Sequence, residues 1–415
     1  MSSRPGLASL KKVENRASGL HLNLGILTLM HFLVDLHSGM LPVILLYQRQ
    51  VLNLSLTQVG IIAGVYNFGL SLSQPLFGYL GDRFGERRFA FGGLIWIALL
   101  GAGMGFTHSF GSLLILAALA AFGSSSFHPA GATGASRLIS IGRGSGMSLF
   151  LVGGSIGYAL GPLVAAGVFE VGGLHGTLWI SMGALLIAGL LIMLMRSLWP
   201  EANPLANPTI SGKGFLKITL PEAILGGVVA LIILSGARTW IYQGLSNFIP
   251  QQMTELGFYR VQATHWLSVV LIINSVGVLV GGMLADRYGP RLVMTGSLSL
   301  LVPVLFLVAR AGTGSIGPLT ALAGLLVGLP VAAVIIVGQS FLPQGTGLVS
   351  GLVLGIGFTI GAAGIAVTGL IADYWNLSTA ILSFGFLALI AAISGLIMPK
   401  SIIQFNPEEE NSFIP

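Results

Sequence analysis

No cysteine occurs in the 415 residues, so disulfide frameworks, thiolate metal sites and thiol nucleophiles are excluded. Charge is scarce as well. Asp, Glu, Lys and Arg make up 8% of the chain, against roughly a quarter in an ordinary soluble domain. A water-facing surface cannot be built from so few. Neither a Gly-x-x-x-x-Gly-Lys-Ser/Thr phosphate loop nor a His-Glu-x-x-His pair is present, which argues against ATP drive within the chain and against that zinc chemistry. No enzyme, cofactor or metal centre is expected.

Apolar residues fill the place of the missing charge. They account for 54% of the chain, alongside 60 glycines. So many glycines would cripple soluble helices, whereas membrane helices use small residues to bring backbones close. Runs of about twenty apolar residues, enough to cross a hydrocarbon core, predict spans at 20–46, 57–80, 89–106, 112–136, 146–169, 177–198, 220–248, 261–284, 292–308, 317–340, 347–371 and 378–398. The first run carries His31, Asp35 and His37, which does not fit a cleavable signal peptide. The fold class is an all-α membrane protein of twelve helices. Residues 1–199 form one six-helix bundle, 200–219 a polar central loop, 220–399 a second bundle, and 400–415 a disordered tail.

The net charge of +6 comes from single Lys and Arg residues between the runs, so topology explains it better than nucleic acid does. With both termini cytoplasmic, fifteen of these residues fall inside: Arg4, Lys11, Lys12, Arg16, Arg83, Arg87, Arg88, Arg137, Arg143, Arg196, Lys213, Lys217, Arg287, Arg291 and Lys400. Only Arg49, Arg260 and Arg310 fall outside. A multi-pass protein of the cell (inner) membrane follows, expected as a monomer. Its partners are a small-molecule substrate, a proton and the bilayer, with no nucleic acid.

One segment occurs twice. Gly78-Tyr-Leu-Gly-Asp82-Arg83-Phe-Gly85-Glu86-Arg87 and Gly282-Met-Leu-Ala-Asp286-Arg287-Tyr-Gly289-Pro-Arg291 share the pattern Gly-x-Leu-small-Asp-Arg-aromatic-Gly-x-Arg at a separation of 204 residues. Two six-helix halves of like topology suit a transporter built from repeats. This segment resembles the loop signature of the major facilitator superfamily, departing from it at Glu86, where a basic residue is usual. The resemblance implies that Asp82, Arg83, Arg87, Asp286, Arg287 and Arg291 take part in gating. In the fifth span, Gly153-Gly154-Ser-Ile-Gly157-Tyr-Ala-Leu-Gly161-Pro162 looks like the motif of the superfamily's antiporter branches. Glycines at that spacing give a smooth packing face whatever the coupling direction. His31-Phe-Leu-Val-Asp35, Ser73-Gln74-Pro75 and Gly123-Ser-Ser-Ser-Phe127-His128-Pro129 are similar to the fosmidomycin-resistance group of drug exporters. That resemblance implies export of small drugs or metabolites against a proton gradient, and the expected activity is proton-coupled antiport of a small drug-like or anionic metabolite by alternating access. Symport or uniport of a small organic anion is the alternative.

Ionisable groups at membrane depth are costly and mark pathways. Away from the ends of the spans, Asp35 is the one carboxylate and Arg238 the one permanent cation. A carboxylate whose neighbours change with conformation can take up and release a proton, so Asp35 is the candidate carrier. Its partner is either His31, one turn earlier, or Arg238; a fixed structural ion pair is the plainer reading. His128 is either a proton relay or a satisfied buried histidine. Arg238 could hold an anion through its planar fork or act as a counter-ion to Asp35. Trp240, Tyr242, Gln243, Asn247 and Gln74 complete the candidate substrate set.

Overall fold

In lipid every backbone polar group needs a partner within the chain, and the helix supplies one for each. The computed structural model describes the backbone of residues 7–138, 143–195, 222–341 and 346–398 and, within them, the side chains of 22–137, 147–194, 225–341 and 355–398. The predicted central loop and C-terminal tail lie outside the described residues. The elements are α1 (Leu7–Val51), α2 (Leu56–Phe84), α3 (Glu86–Met104), α4 (Phe110–Leu138), α5 (Arg143–Gly172), α6 (Gly176–Met195), α7 (Glu222–Glu255), α8 (Arg260–Tyr288), α9 (Pro290–Ala309), α10 (Ile316–Gly328), α11 (Pro330–Phe341), α12 (Thr346–Tyr374) and α13 (Leu377–Ile397). Eleven described segments are long and apolar enough to cross a membrane. One of these, Met147–Leu194, holds both α5 and α6, so the passes among the described residues number twelve.

The helix surfaces are inverted relative to those of a soluble protein. Along α6, Leu178, Met182, Leu186 and Leu190 recur every fourth residue and are all exposed, while Ser181, Ala184, Ala188 and Leu191 on the other side are buried. An apolar stripe of this length needs lipid to cover it.

Several boundaries differ from the sequence expectation, among them those of the first, seventh and tenth spans. The tenth span reads as one run, but it divides into α10 and α11 at Pro330, which has no N–H to continue the ladder. The first helix runs on to Val51 and the seventh to Glu255. The overrun places Arg49 on a helix instead of in a loop, where its guanidinium meets Glu255 at 3.2 Å.

The described chain forms two compact units. One comprises Met1–Ile44 and Leu72–Ser211, the other Leu45–Ser71 and Gly212–Pro415. In the first, Leu27, Met30, Leu94, Phe127 and Phe150 are fully or almost fully buried at its core. Among the described spans, that of α1 is the most enclosed: 83% of its most apolar stretch is buried, against 61% or less in the others. In the second unit the start of α2 lies on α12, where Gly60 faces the backbone of Ile365 and Gly64 that of Ala362.

The duplicated segment has the same backbone in both places. Gly85 has φ 98° and Gly289 φ 86°, a conformation that side chains with a Cβ resist. Their N–H groups donate to the carbonyls of Gly81 and Ala285, each at 2.9 Å. The repeated glycine therefore ends one helix and turns the chain into the next.

Candidate functional site

The site is built on α1 by the glycine face of α5. A Cβ on Gly157 would run into the carbonyl of Phe32, one on Gly153 into Thr28, and one on Gly161 into Leu36 and Gly39. Small residues at four-residue spacing thus let α5 lie directly on the backbone of α1. Gly154, on the same face, leaves open the space beside His31 and Asp35 that a Cβ would fill.

Three ionisable groups meet there. His31 Nε2 lies 3.2 Å from Asp35 Oδ2, and His128 Nε2 lies 3.2 Å from Asp35 Oδ1. The side chains of His31, Asp35 and His128 are 5%, 15% and 27% exposed, so the outermost ring is that of His128. Each imidazole is fixed from behind. His31 Nδ1 is 2.9 Å from the carbonyl of Phe150, and His128 Nδ1 is 2.7 Å from that of Ser124. The His31 ring also stacks on Phe150 with centroids 4.3 Å apart. Pro129 follows His128 inside α4 and offers no N–H to the carbonyl one turn back. Ser73 on α2 donates to Ser125 at 2.8 Å, so all three segments carrying the fosmidomycin-type resemblance converge in this unit. The donor atoms of the cluster all lie within 4.8 Å of one another, close enough to share a small cation, a proton included.

Of the two partners considered for Asp35, His31 is in contact, and His128 joins it. His37 is buried elsewhere, its Nδ1 2.8 Å from the carbonyl of Leu33. Gln74 on α2 is half-buried.

In the other unit, Arg238 is buried on α7 and donates to Thr239 Oγ1 at 3.0 Å and to the carbonyl of Val327 at 3.4 Å. Among the described residues it has no carboxylate partner. Both amide atoms of Gln243 and the Asn247 carbonyl oxygen are buried without partners, as is the Gln251 amide nitrogen. Gln243, Asn247 and Gln251 recur every fourth residue and so share one face. The sequence reading missed Gln251, although that spacing was there to find it. The Trp240 indole donates to Thr368 at 2.8 Å, and Tyr242 packs against the apolar core.

The loop charges are arranged unevenly. Among the described residues, neither Asp82 nor Asp286 forms an ion pair, while Arg83 donates to the Tyr79 hydroxyl at 3.4 Å and lies over the Phe84 ring, 5.4 Å from its centroid. Arg291 donates to the carbonyl of Leu396. The departure at Glu86 acquires a purpose here: buried at the start of α3, it pairs with Arg137 of α4 at 2.7 Å. Removing one partner of a buried pair strands the other charge at a cost of about 3–5 kcal/mol, less here because Arg137 is 47% exposed. Arg137→Gln should lower the thermal unfolding midpoint, and adding Glu86→Gln should restore most of the loss. Additive losses would mean that the pair does not couple.

A carboxylate does meet a helix N-terminus at another place in the chain. Asp373 near the end of α12 accepts from the N–H groups of Leu56 and Thr57 at 2.8 and 2.7 Å, capping α2 in the manner of an N-cap. Gly369 beside it lets α12 approach the Leu56 backbone.

Comparison with known proteins agrees with this architecture. Residues 27–362 match the family described as Major Facilitator Superfamily. The chain is 30% identical over 383 residues to the fosmidomycin resistance protein of Escherichia coli (strain K12), covering 89% of this chain and 91% of that one. A bacterial homologue of the human lysosomal transporter Spinster, solved in an inward-facing and unoccupied conformation, superposes with a TM-score of 0.79 at 14% identity, over 94% of this chain and 99% of that one. The nucleoside transporter NupG gives 0.76 at 16% identity, over 92% and 100%. Twelve apolar passes, the duplicated loop and a family match over most of the sequence lead to one conclusion: this chain is a membrane transport protein, not an enzyme, and belongs to the Major Facilitator Superfamily.

Proposed function

We propose that the protein is a proton-coupled antiporter that exports a small drug-like or anionic compound by alternating access, from a cell membrane in which both termini are cytoplasmic. The observation that carries this reading is Asp35, held between His31 and His128 at 3.2 Å from each on the most enclosed of the described spans. A group so placed exchanges protons only when the path around it opens, and its charge biases one state over the other. Asp373 over the start of α2 and the duplicated Asp-Arg loops serve as latches of opposite states. The six-plus-six organisation of the chain, divided at 200–219, belongs to the same proposal.

Arg238 supplies the anion-binding group. Its lack of a carboxylate partner among the described residues favours a ligand that brings one, or a phosphonate, and the unpaired amide of Gln243 and carbonyl oxygen of Asn247 suit the polar remainder. Lys in its place would keep the charge but lose the two-pronged geometry. Losing one charge-assisted hydrogen bond of about 1.5–3 kcal/mol should raise the half-saturating concentration of an anionic substrate roughly tenfold to a hundredfold. A neutral substrate should be unaffected.

The relative's name makes fosmidomycin the first compound to try. A transporter-deficient host carrying this chain is grown against fosmidomycin and a panel of small organic anions. Resistance to one compound supports export, whereas sensitisation points to uptake and therefore to symport or uniport. Identical growth curves on every compound would overturn the assignment of substrate class.

A further inference from the structure

We infer that the His31–Asp35–His128 cluster holds two protons in the conformation described here, one in each nitrogen–oxygen contact. A carbonyl oxygen can only accept, so the contacts to Phe150 and Ser124 place a proton on Nδ1 of both rings. A neutral imidazole carries one proton, and on both rings that proton is now committed. Each Nε2 would then turn a bare lone pair toward a carboxylate oxygen 3.2 Å away. Two acceptors do not attract at that distance unless a hydrogen lies between them.

Two contacts to two different oxygens therefore need two further protons. Either both rings are imidazolium and Asp35 is ionised, or one ring is imidazolium while Asp35 is protonated and donates to the other. Both arrangements carry the same net charge: two positive rings and one carboxylate give +1, as do one positive ring, a neutral acid and a neutral ring. With a single proton one contact must break, and the ring free to leave is His128, the more exposed of the two. His31 is held by its stacking on Phe150.

No other charge intervenes among the described residues. The ion-pair contacts of Asp35 are those to His31 and His128, and that of His128 is to Asp35. From α5 the cluster is faced by Phe150 and Gly154, and from α4 by Phe127 and Ser124, none of which is charged. Resting on the proton-coupled reading above, the consequence is that one transport cycle which empties the cluster moves two protons and changes its charge from +1 to −1.

The protons can be counted without any substrate. Full-length protein labelled with ¹⁵N-histidine is placed in lipid bilayers at neutral pH. Solid-state NMR then reports how many rings are imidazolium, with His31→Gln and His128→Gln assigning the signals. Infrared spectroscopy reports a protonated carboxyl as a carbonyl band that disappears in Asp35→Asn. Two imidazolium rings without that band, or one imidazolium ring with it, make two protons and support the inference. Any other total overturns it. Because neither a pH gradient nor a substrate is involved, this count stands or falls separately from the question of whether transport follows protons.

Discussion

Asp35→Asn should abolish accumulation of the transported compound under an imposed pH gradient while leaving counterflow in place. Asn has the shape of Asp but does not ionise, so the site loses its one carboxylate without a change of volume. The two imidazoles, pinned through Nδ1 by Phe150 and Ser124, would face an amide that offers no negative charge to hold their second protons. Alternating access itself does not require that charge, since counterflow needs only a substrate path that opens to each side in turn. Proteoliposomes test this directly. The variant should equilibrate labelled compound at the wild-type rate order yet show no accumulation above the outside concentration. Gradient-driven accumulation by Asp35→Asn would remove the carboxylate from the coupling step.

The second large effect concerns the helix pair that builds the site. Gly157→Leu would place a side chain where the carbonyl of Phe32 now sits, and that carbonyl lies in the helical turn between His31 and Asp35. Overpacking a tight contact costs typically 1–3 kcal/mol, and here the obstruction is backbone, which cannot rotate away as a side chain can. A drop of several degrees in the thermal midpoint is expected, together with loss of transport. Gly167 lies on the same helix, where an added Cβ would meet nothing within 4 Å, so Gly167→Leu serves as the control and should unfold at the wild-type temperature. Equal midpoints for the two variants would mean that the α1–α5 contact does not carry the fold.

Much of this arrangement was legible in the sequence. The twelve passes followed from charge scarcity and run length, and the duplicated loop announced itself because its glycine is needed for a positive φ in both copies. His31 and Asp35 could be paired because an i, i+4 spacing puts them on one face. The approach of His128 could not be read, since which face of α4 meets α1 depends on how closely several helices pack. Likewise, nothing in the spacing of Glu86 and Arg137, or of Asp373 and Leu56, marks them as neighbours. Those contacts join separate helices, and local patterns carry no information about such pairs. The overruns of α1 and α7 were missed for a different reason: polar residues at the ends of membrane helices look like loop, although the backbone remains helical beyond the apolar core.

The central claim is that protons held by the Asp35 cluster drive substrate movement. Its most direct test is to reverse the pH gradient across proteoliposomes containing the wild-type protein and the compound identified by the growth panel. If the cluster couples the two fluxes in exchange, the net movement of compound reverses with the gradient and is always opposite to the proton flow. Movement in the same direction under both gradients, at the same rate, would contradict the account.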